Sequence, residues 1–294
     1  MEKIQANVAA DEKRRTEEVE VQRPAVKVKD VTPNEKQAAF INSPVDANVR
    51  VLADPGTGKT FCIEHRNVFL LKNGVPADKI LNVTFSKDMA ASGKDRVLAA
   101  LAQSELKIPT PQLREFEKWF CTIHASCKRI LAEEGDTRQK PKDWQTNKIL
   151  KEVAEKLFPA IEDRPGPQEL IAVINMAKGL GLTTDNDMAL FGSITDINGR
   201  NVGRELHEAR RMFDADMRRE NWFTFTDMVL DMEIKLRRDS GFRNKWQNKF
   251  QVVMVDEGQD TSAQAMRILI TLSLEPGDNR IYDKFNPVSQ FKGE

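Results

Sequence analysis

The sequence predicts an α/β protein, with a mostly parallel β-sheet that carries helices on both faces and is interrupted by an all-helical insertion. Two segments indicate the sheet. Residues 53–60 directly follow a short β-branched run, and residues 252–260 begin with a short apolar run. Between them, residues 125–222 place apolar side chains at helical spacing, which indicates the insertion.

The first segment has the composition of a phosphate-binding turn. A strand is predicted over 48–53 and a helix over 61–72. The turn between them contains Gly56 and Gly58, which can adopt positive φ and let the backbone approach a phosphate. The N-terminus of the following helix adds a partial positive charge. A Gly-rich turn followed by an unrelated Lys-Thr pair is the simpler alternative.

Two side chains of this turn supply further chemistry. The Lys59 ammonium is expected to reach the β- and γ-phosphates, and the Thr60 hydroxyl is expected to ligate Mg²⁺. The nucleotide-binding residues predicted here are Ala53, Asp54, Pro55, Gly56, Thr57, Gly58, Lys59 and Thr60.

The second segment ends an apolar strand in two adjacent carboxylates. On its own, this pair would fit a polar strand exit equally well. Functional groups of a parallel sheet gather at the carboxyl ends of its strands, however. Together with the turn, the pair predicts that Asp256 holds Mg²⁺ and that Glu257 accepts a proton from the attacking water. Gln259 lies just beyond and is expected to sense the nucleotide state.

Six segments, in the correct order, resemble those of the UvrD/Rep/PcrA type of superfamily-one DNA helicases. They extend over nearly all of the chain from Thr32 onward and lie at 33–37, 53–60, 80–86, 122–126, 224–228 and 256–261. The resemblance implies a RecA-like P-loop NTPase domain that uses ATP and Mg²⁺ to move along single-stranded DNA.

The resemblance also implies roles for individual residues. Gln37 is implied to read adenine, and Asn286 stands where the family has a phosphate-sensing Gln. The implied contacts with single-stranded DNA are Thr84, Phe85, Ser86, Thr122 and His124. The chain departs from the family pattern at Asn286, at Gly258, which replaces a bulky residue, and at 87–88, where Lys-Asp replaces Asn-Lys.

Motors of the resembling family hold ATP between two RecA-like domains, and the second domain supplies arginines to the γ-phosphate. We expect the residues up to Glu294 to lack this second domain. We therefore expect the isolated chain to bind ATP with Mg²⁺ but to hydrolyse it slowly until a second RecA-like domain or subunit completes it. Two other classes stay open: a nucleotide-dependent subunit that regulates a helicase or binds DNA without unwinding it, and an inactive remnant.

The composition limits the kinds of partner. Lys+Arg and Asp+Glu number 45 each, so any DNA binding requires a local groove. The stretch 235–249 is basic and contains Phe242 and Trp246, which could stack on bases. The favoured alternative is a solvated helix face whose rings pack inward. Three cysteines without C-x-x-C spacing and the lack of a long apolar run favour the cytoplasm of a prokaryotic or virus-infected cell, with no membrane partner.

These segments divide the chain into three predicted parts. Residues 1–30 are expected to form a charged, mobile tail. Residues 31–124 and 223–294 are expected to form the RecA-like ATP-binding domain, and residues 125–222 the helical insertion.

Overall fold

The computed structural model describes residues 32–54, 56–104, 106–159 and 164–283. The predicted tail, Pro55 and Asn286 lie outside the described residues. The chain divides into two compact units. The first contains the residues up to Ser126 together with Asn244–Thr261 and Leu272–Pro276, and the second contains Cys127–Arg243, Ser262–Thr271 and the residues from Gly277.

A parallel sheet organises the first unit. Its strands are β1 (Ile80–Thr84), β2 (Phe120–Thr122) and β3 (Val252–Val255), in the order β2-β1-β3. The central strand β1 pairs in parallel with both neighbours, with Thr84 opposite Thr122 and Val83 opposite Val255. All five residues of β1 are buried, as expected for a strand covered on both faces. The predicted α/β fold with a parallel sheet flanked by helices is therefore confirmed.

The helices of the described residues follow in chain order. They are α1 (Glu35–Ile41), α2 (Lys59–Lys72), α3 (Lys87–Gln103), α4 (Thr110–Lys118), α5 (Ile123–Glu133), α6 (Asp143–Leu157), α7 (Pro167–Gly179), α8 (Met188–Phe191), α9 (Gly203–Arg219), α10 (Phe225–Arg238), α11 (Ser240–Lys249), α12 (Ala263–Leu272) and α13 (Arg280–Asp283), with 3₁₀ turns at Ala77–Lys79 and Gly258–Asp260. Within the described part of the chain, none of these helices is both long and apolar enough to cross a bilayer.

Each unit has its own apolar core. In the first unit, Leu70 of α2, Ile80 of β1 and Leu101 of α3 are completely buried in one cluster. In the second unit, the apolar faces of α6, α7 and α9 meet around Leu150 and Phe213. The predicted helix over 61–72 is present and begins at Lys59.

The strand predicted over 48–53 is wrong. These residues form no strand in the described structure, and Leu52 is 81% exposed. Val49 and Val51 are each 46% exposed, so neither face of the segment is buried. β-branched residues favour strands only where a neighbouring strand and a covered face are available, and this segment has neither among the described residues.

The basic stretch 235–249 follows the favoured alternative, because its rings pack inward. Phe242 is 6% exposed and Trp246 is 1% exposed, which leaves no ring face for a base. In the first unit, Trp246 packs edge-on against Trp119 with ring centroids 5.9 Å apart.

A buried cation joins three helices of the second unit. Lys178 of α7 is 1% exposed, and its ammonium forms ion pairs with Asp214 of α9 and Asp227 of α10. Burial raises the pKa of Asp227, but the Lys178 ammonium and the bonds from Thr224 outweigh burial, so the pKa lies below its ordinary 3.8. Asp227 also closes a capping box, in which its carboxylate accepts the Thr224 N–H at 2.7 Å.

We expect Lys178→Met to lower the free energy of unfolding by about 3–5 kcal/mol, because two largely buried carboxylates lose the Lys178 ammonium between them, while Asp214 keeps Arg210 at 3.6 Å. Lys148→Met is the matched control: Lys148 is 70% exposed and lies 4.0 Å from Glu152, so its loss should cost less than about 0.5 kcal/mol. Urea denaturation of both variants measures the difference.

The effect of Lys178→Met should depend on pH. Since the folded pKa of Asp227 is lowered, the stability from its charged form is present above pH 3.8 and is lost as the pH falls through the folded value. If the loss of unfolding free energy in Lys178→Met stays constant down to the folded pKa of Asp227, the assigned ion pair is contradicted.

Candidate nucleotide-binding site

The turn at 53–60 has an open, left-handed conformation. Gly56 has φ 79° and Gly58 has φ 85°, and Gly58 is the N-cap of α2. The side-chain hydroxyl of Thr57 donates to the Asp54 carbonyl at 2.7 Å, which holds the turn together from within. Apart from the chain neighbours of Gly56, no atom of the described residues lies within 4 Å of the place where a Cβ on Gly56 would stand, so a large anion could approach the backbone there.

Lys59 connects this turn with the paired acids. Its ammonium donates to the Ala53 carbonyl at 3.3 Å and lies 3.9 Å from the Glu257 carboxylate. The structure thus brings together the two segments that the sequence singled out. A side chain held between a loop carbonyl and a carboxylate can move its charge onto a phosphate by a small change of rotamer.

The acids follow the last residue of β3. The Asp256 N–H donates to the Val83 carbonyl at 2.8 Å, which extends the parallel ladder by one residue. Burial raises the pKa of Asp256, and the neighbouring Glu257 carboxylate raises it further. Glu257 has φ 51°, and its carboxylate accepts a hydrogen bond from the Gln259 side chain.

A cavity of about 240 Å³ lies beside these acids within the first unit. Thr60 and Asp256 both line it, together with Glu64, Asn82 and Arg96. A hydroxyl and a carboxylate are the hard oxygen ligands that Mg²⁺ prefers, so the residues present fit this ion.

Two polar pairs close to this cavity carried no signal in the sequence. The Arg96 guanidinium pairs with the buried Glu64 carboxylate at 2.8 Å, and burial raises the pKa of Glu64 against the effect of Arg96. The side-chain amides of Asn67 and Asn82 bond to each other at 3.1 Å. Each pair joins a helix to another element, so only the fold brings its members together.

Gln37 contacts the turn directly. Its Nε2 donates to the Thr57 carbonyl at 3.0 Å, and its Oε1 accepts from the Asn34 N–H at 3.0 Å. A Cβ on Gly58 would meet Gln37 Nε2 at 2.9 Å, so the two residues are in close contact.

The predicted DNA contacts lie at the carboxyl ends of β1 and β2. Thr84 and Thr122 are buried, and their hydroxyls serve local structure: the first donates to the Ser86 carbonyl at 2.9 Å and the second accepts from the Ala125 N–H at 3.3 Å. Ser86 caps α3. The exposed residues among them are Phe85, which is 63% exposed, and His124, although partial burial lowers the pKa of the His124 imidazole.

The two glycines of the turn should respond differently to replacement by alanine. Gly56→Ala forces a Cβ into positive φ and should cost about 1 kcal/mol of unfolding free energy. Gly58→Ala carries the same backbone cost and also displaces the Gln37 amide, so we expect a larger loss. Equal losses in urea denaturation would contradict the packing of Gln37 against the turn.

The chain is similar to several curated helicases. It is 27% identical over 247 residues to the ATP-dependent DNA helicase Rep of Escherichia coli (strain K12), which covers 81% of this chain and 33% of that protein. It is 26% identical over 242 residues to DNA helicase II of Haemophilus influenzae, covering 78% of this chain and 30% of the relative. A match to the ATP-dependent DNA helicase srs2 of Schizosaccharomyces pombe is 25% identical over 257 residues, covering 83% and 28%.

The chain thus spans about a third of the length of these relatives. The family model described as the UvrD/REP helicase N-terminal domain matches residues 33–279. By this match, which covers most of its length, the chain belongs to the UvrD/REP helicase N-terminal domain family.

Proposed function

We propose that this chain is the ATP-binding motor domain of a UvrD-like DNA helicase. In this proposal it couples ATP hydrolysis to translocation along single-stranded DNA, or to unwinding, when a second RecA-like domain completes it. One observation carries the proposal: the Lys59 ammonium lies 3.9 Å from the Glu257 carboxylate. This contact places the phosphate turn beside the two acids.

Each group of the candidate site has a chemical role in this proposal. Backbone N–H groups of residues 53–60 and the Lys59 ammonium bind the triphosphate. Gln37, at the edge of the turn, reads the base. Glu257 accepts the proton of the attacking water, and Gln259 holds the Glu257 carboxylate in place. Asn286, which lies outside the described residues, is proposed to contact the γ-phosphate.

Thr60 and Asp256 are the residues proposed to hold Mg²⁺. When bound there, the ion would neutralise charge on the phosphate oxygens. The cavity that these two side chains share supports this assignment.

Single-stranded DNA is proposed to cross the carboxyl edge of the sheet. Of the five predicted contacts, Phe85 and His124 are the exposed residues, and their rings are proposed to stack on bases. Thr84, Ser86 and Thr122 are proposed to shape the backbone at the same edge, because their hydroxyls are engaged in caps and turns.

The proposed partner is a second RecA-like domain or subunit that supplies arginines to the γ-phosphate. This is supported by the lengths of the relatives, of which the chain covers only 28–33%. An arginine donated to phosphoryl transfer increases its rate by about 10³–10⁵-fold. The proposed location is the cytoplasm, where ATP and nucleic acid are both available.

Nucleotide binding and turnover test this function on the 294-residue chain. Lys59→Ala should raise the Kd for ATP with Mg²⁺ by about tenfold or more, because a charge-assisted phosphate contact is lost. Glu257→Gln should leave that Kd within about twofold and lower turnover by about 10²-fold or more, the usual contribution of a general base. Calorimetry and phosphate release measure the two effects.

Single-stranded DNA separates the alternatives. An ATPase rate that rises with added oligonucleotide once a second domain is supplied supports the motor, whereas brisk stimulation of the chain alone would contradict the need for that domain. Unchanged ATP affinity in Lys59→Ala would refute the assigned site. Nucleotide-dependent DNA binding without DNA-stimulated turnover, even with a second domain supplied, would favour the regulatory subunit.

We expect Phe85→Ala to weaken binding of a short oligothymidylate by about tenfold while ATP affinity stays the same, because a stacked base is worth about 1–3 kcal/mol. Trp144→Ala is the matched control, since Trp144 is also 63% exposed but lies in the second unit. Fluorescence anisotropy measures both. Equal DNA affinity of wild type and Phe85→Ala would exclude stacking on this ring.

A further inference from the structure

A buried arginine holds the helix that carries Gln37. Arg66 of α2 is only 5% exposed, and its guanidinium donates to three backbone carbonyls, one at the last residue of α1 and two in the loop that follows. Nη1 donates to the carbonyls of Ile41, at 3.0 Å, and Ser43, and Nη2 donates to that of Pro44 at 2.8 Å. The Arg66 guanidinium also lies over the Phe69 ring, 5.1 Å from its centroid.

Helix α1 needs such a tether. It has seven residues and buries one side chain, Ile41. Helices this short are marginal on their own, and the last carbonyls of any helix lack partners within it. The planar guanidinium offers several N–H groups in a fixed fork, so one side chain can satisfy three carbonyls at once. Arg66 thereby fixes α1 on α2, the helix that begins at the phosphate turn.

The other end of α1 presents the Gln37 amide in one orientation. Its Oε1 accepts from Asn34 and its Nε2 donates to Thr57. Turning the amide over would place N–H against N–H and oxygen against oxygen, so both bonds would be lost. Each amide atom keeps one further site, an acceptor on Oε1 and a donor on Nε2.

These remaining sites match one purine. Adenine offers an N6 amino donor beside the N7 acceptor, whereas guanine offers two acceptors, O6 and N7, at the same edge. An amide fixed with one acceptor and one donor can pair with adenine in two bonds, but its oxygen would face an acceptor of guanine, either O6 or N7. Discrimination therefore depends on the amide being held still.

We propose that Arg66 is a positioning residue for adenine selection: it fixes α1 so that Gln37 presents its amide to the base. This inference rests on the proposed function, since it deepens the role of the same nucleotide site. Arg66 acts through α1 and the Gln37 amide. Its loss should therefore alter the preference between nucleotides more strongly than it alters the affinity for the triphosphate.

The test compares the Kd values of ATP and GTP, each with Mg²⁺, by calorimetry on the 294-residue chain. Arg66→Met removes the donors and keeps most of the aliphatic stem. It should raise the Kd for ATP by about tenfold, the scale of one bidentate base contact, and leave that for GTP within about twofold. Gln37→Ala should give the same loss of preference, and the double variant should lose no more than the larger single loss.

Two further variants separate positioning from general damage. Leu101→Ala opens the core of the first unit, where Leu101 is completely buried, and should lower stability without changing the ATP/GTP ratio. Arg66→Gln keeps one donor group and replaces Arg66→Met if the latter does not fold. All measurements are made well below the Tm of each variant.

The outcomes are distinct. If Gln37→Ala abolishes the preference while folded Arg66 variants keep it, the positioning role is wrong and the proposed site stands. If Gln37→Ala also keeps the preference, the base-reading role fails and the inference fails with it. Equal loss of ATP and GTP binding in the Arg66 variants would also overturn it. Failure of the proposed function is a separate result: in that case Lys59→Ala leaves the Kd values of both ATP and GTP unchanged.

Discussion

The candidate site depends on the parallel pairing of β1 with both of its neighbours. Parallel strands end at the same edge, so the residues after Thr84, Thr122 and Val255 meet there whatever the distance between them in the chain. The Asp256 N–H continues the ladder onto the Val83 carbonyl, which fixes the first acid relative to the sheet. The ladder therefore sets the position of the acids, and the loops supply the chemistry.

Around that edge, different forces hold different parts of the candidate site. The acids are held by the sheet, and the phosphate turn is held by α2 and by the bonds of Thr57 and Lys59 to its own carbonyls. Gln37 lies on α1, a helix with one buried side chain. Hydrogen bonds from Arg66 hold this helix in place of an apolar core. The element proposed to read the base is thus the part of the candidate site that depends least on apolar burial.

Local patterns in the sequence predicted the parts that local chemistry determines. The glycines of the turn, the helix after it and the carboxylates after β3 are each read from a few adjacent residues. The strand predicted over 48–53 failed because β-branched residues alone do not provide a pairing partner. Arg66, Glu64 and Lys178 left no pattern, because their partners lie in other elements; those of Arg66 are 22–25 residues away. The composition around Phe242 and Trp246 allowed base stacking but favoured rings that pack inward, and the burial of both rings agrees with the favoured interpretation.

The backbone at Glu257 has a consequence for the evolution of this chain. A glutamate at φ 51° is held in a conformation that glycine or asparagine adopts at lower cost, by about 1 kcal/mol. Laboratory selection for heat resistance alone would therefore favour replacements that discard the acid. The same backbone places the Glu257 carboxylate against the Gln259 amide and 3.9 Å from the Lys59 ammonium, and a glycine there could make neither contact.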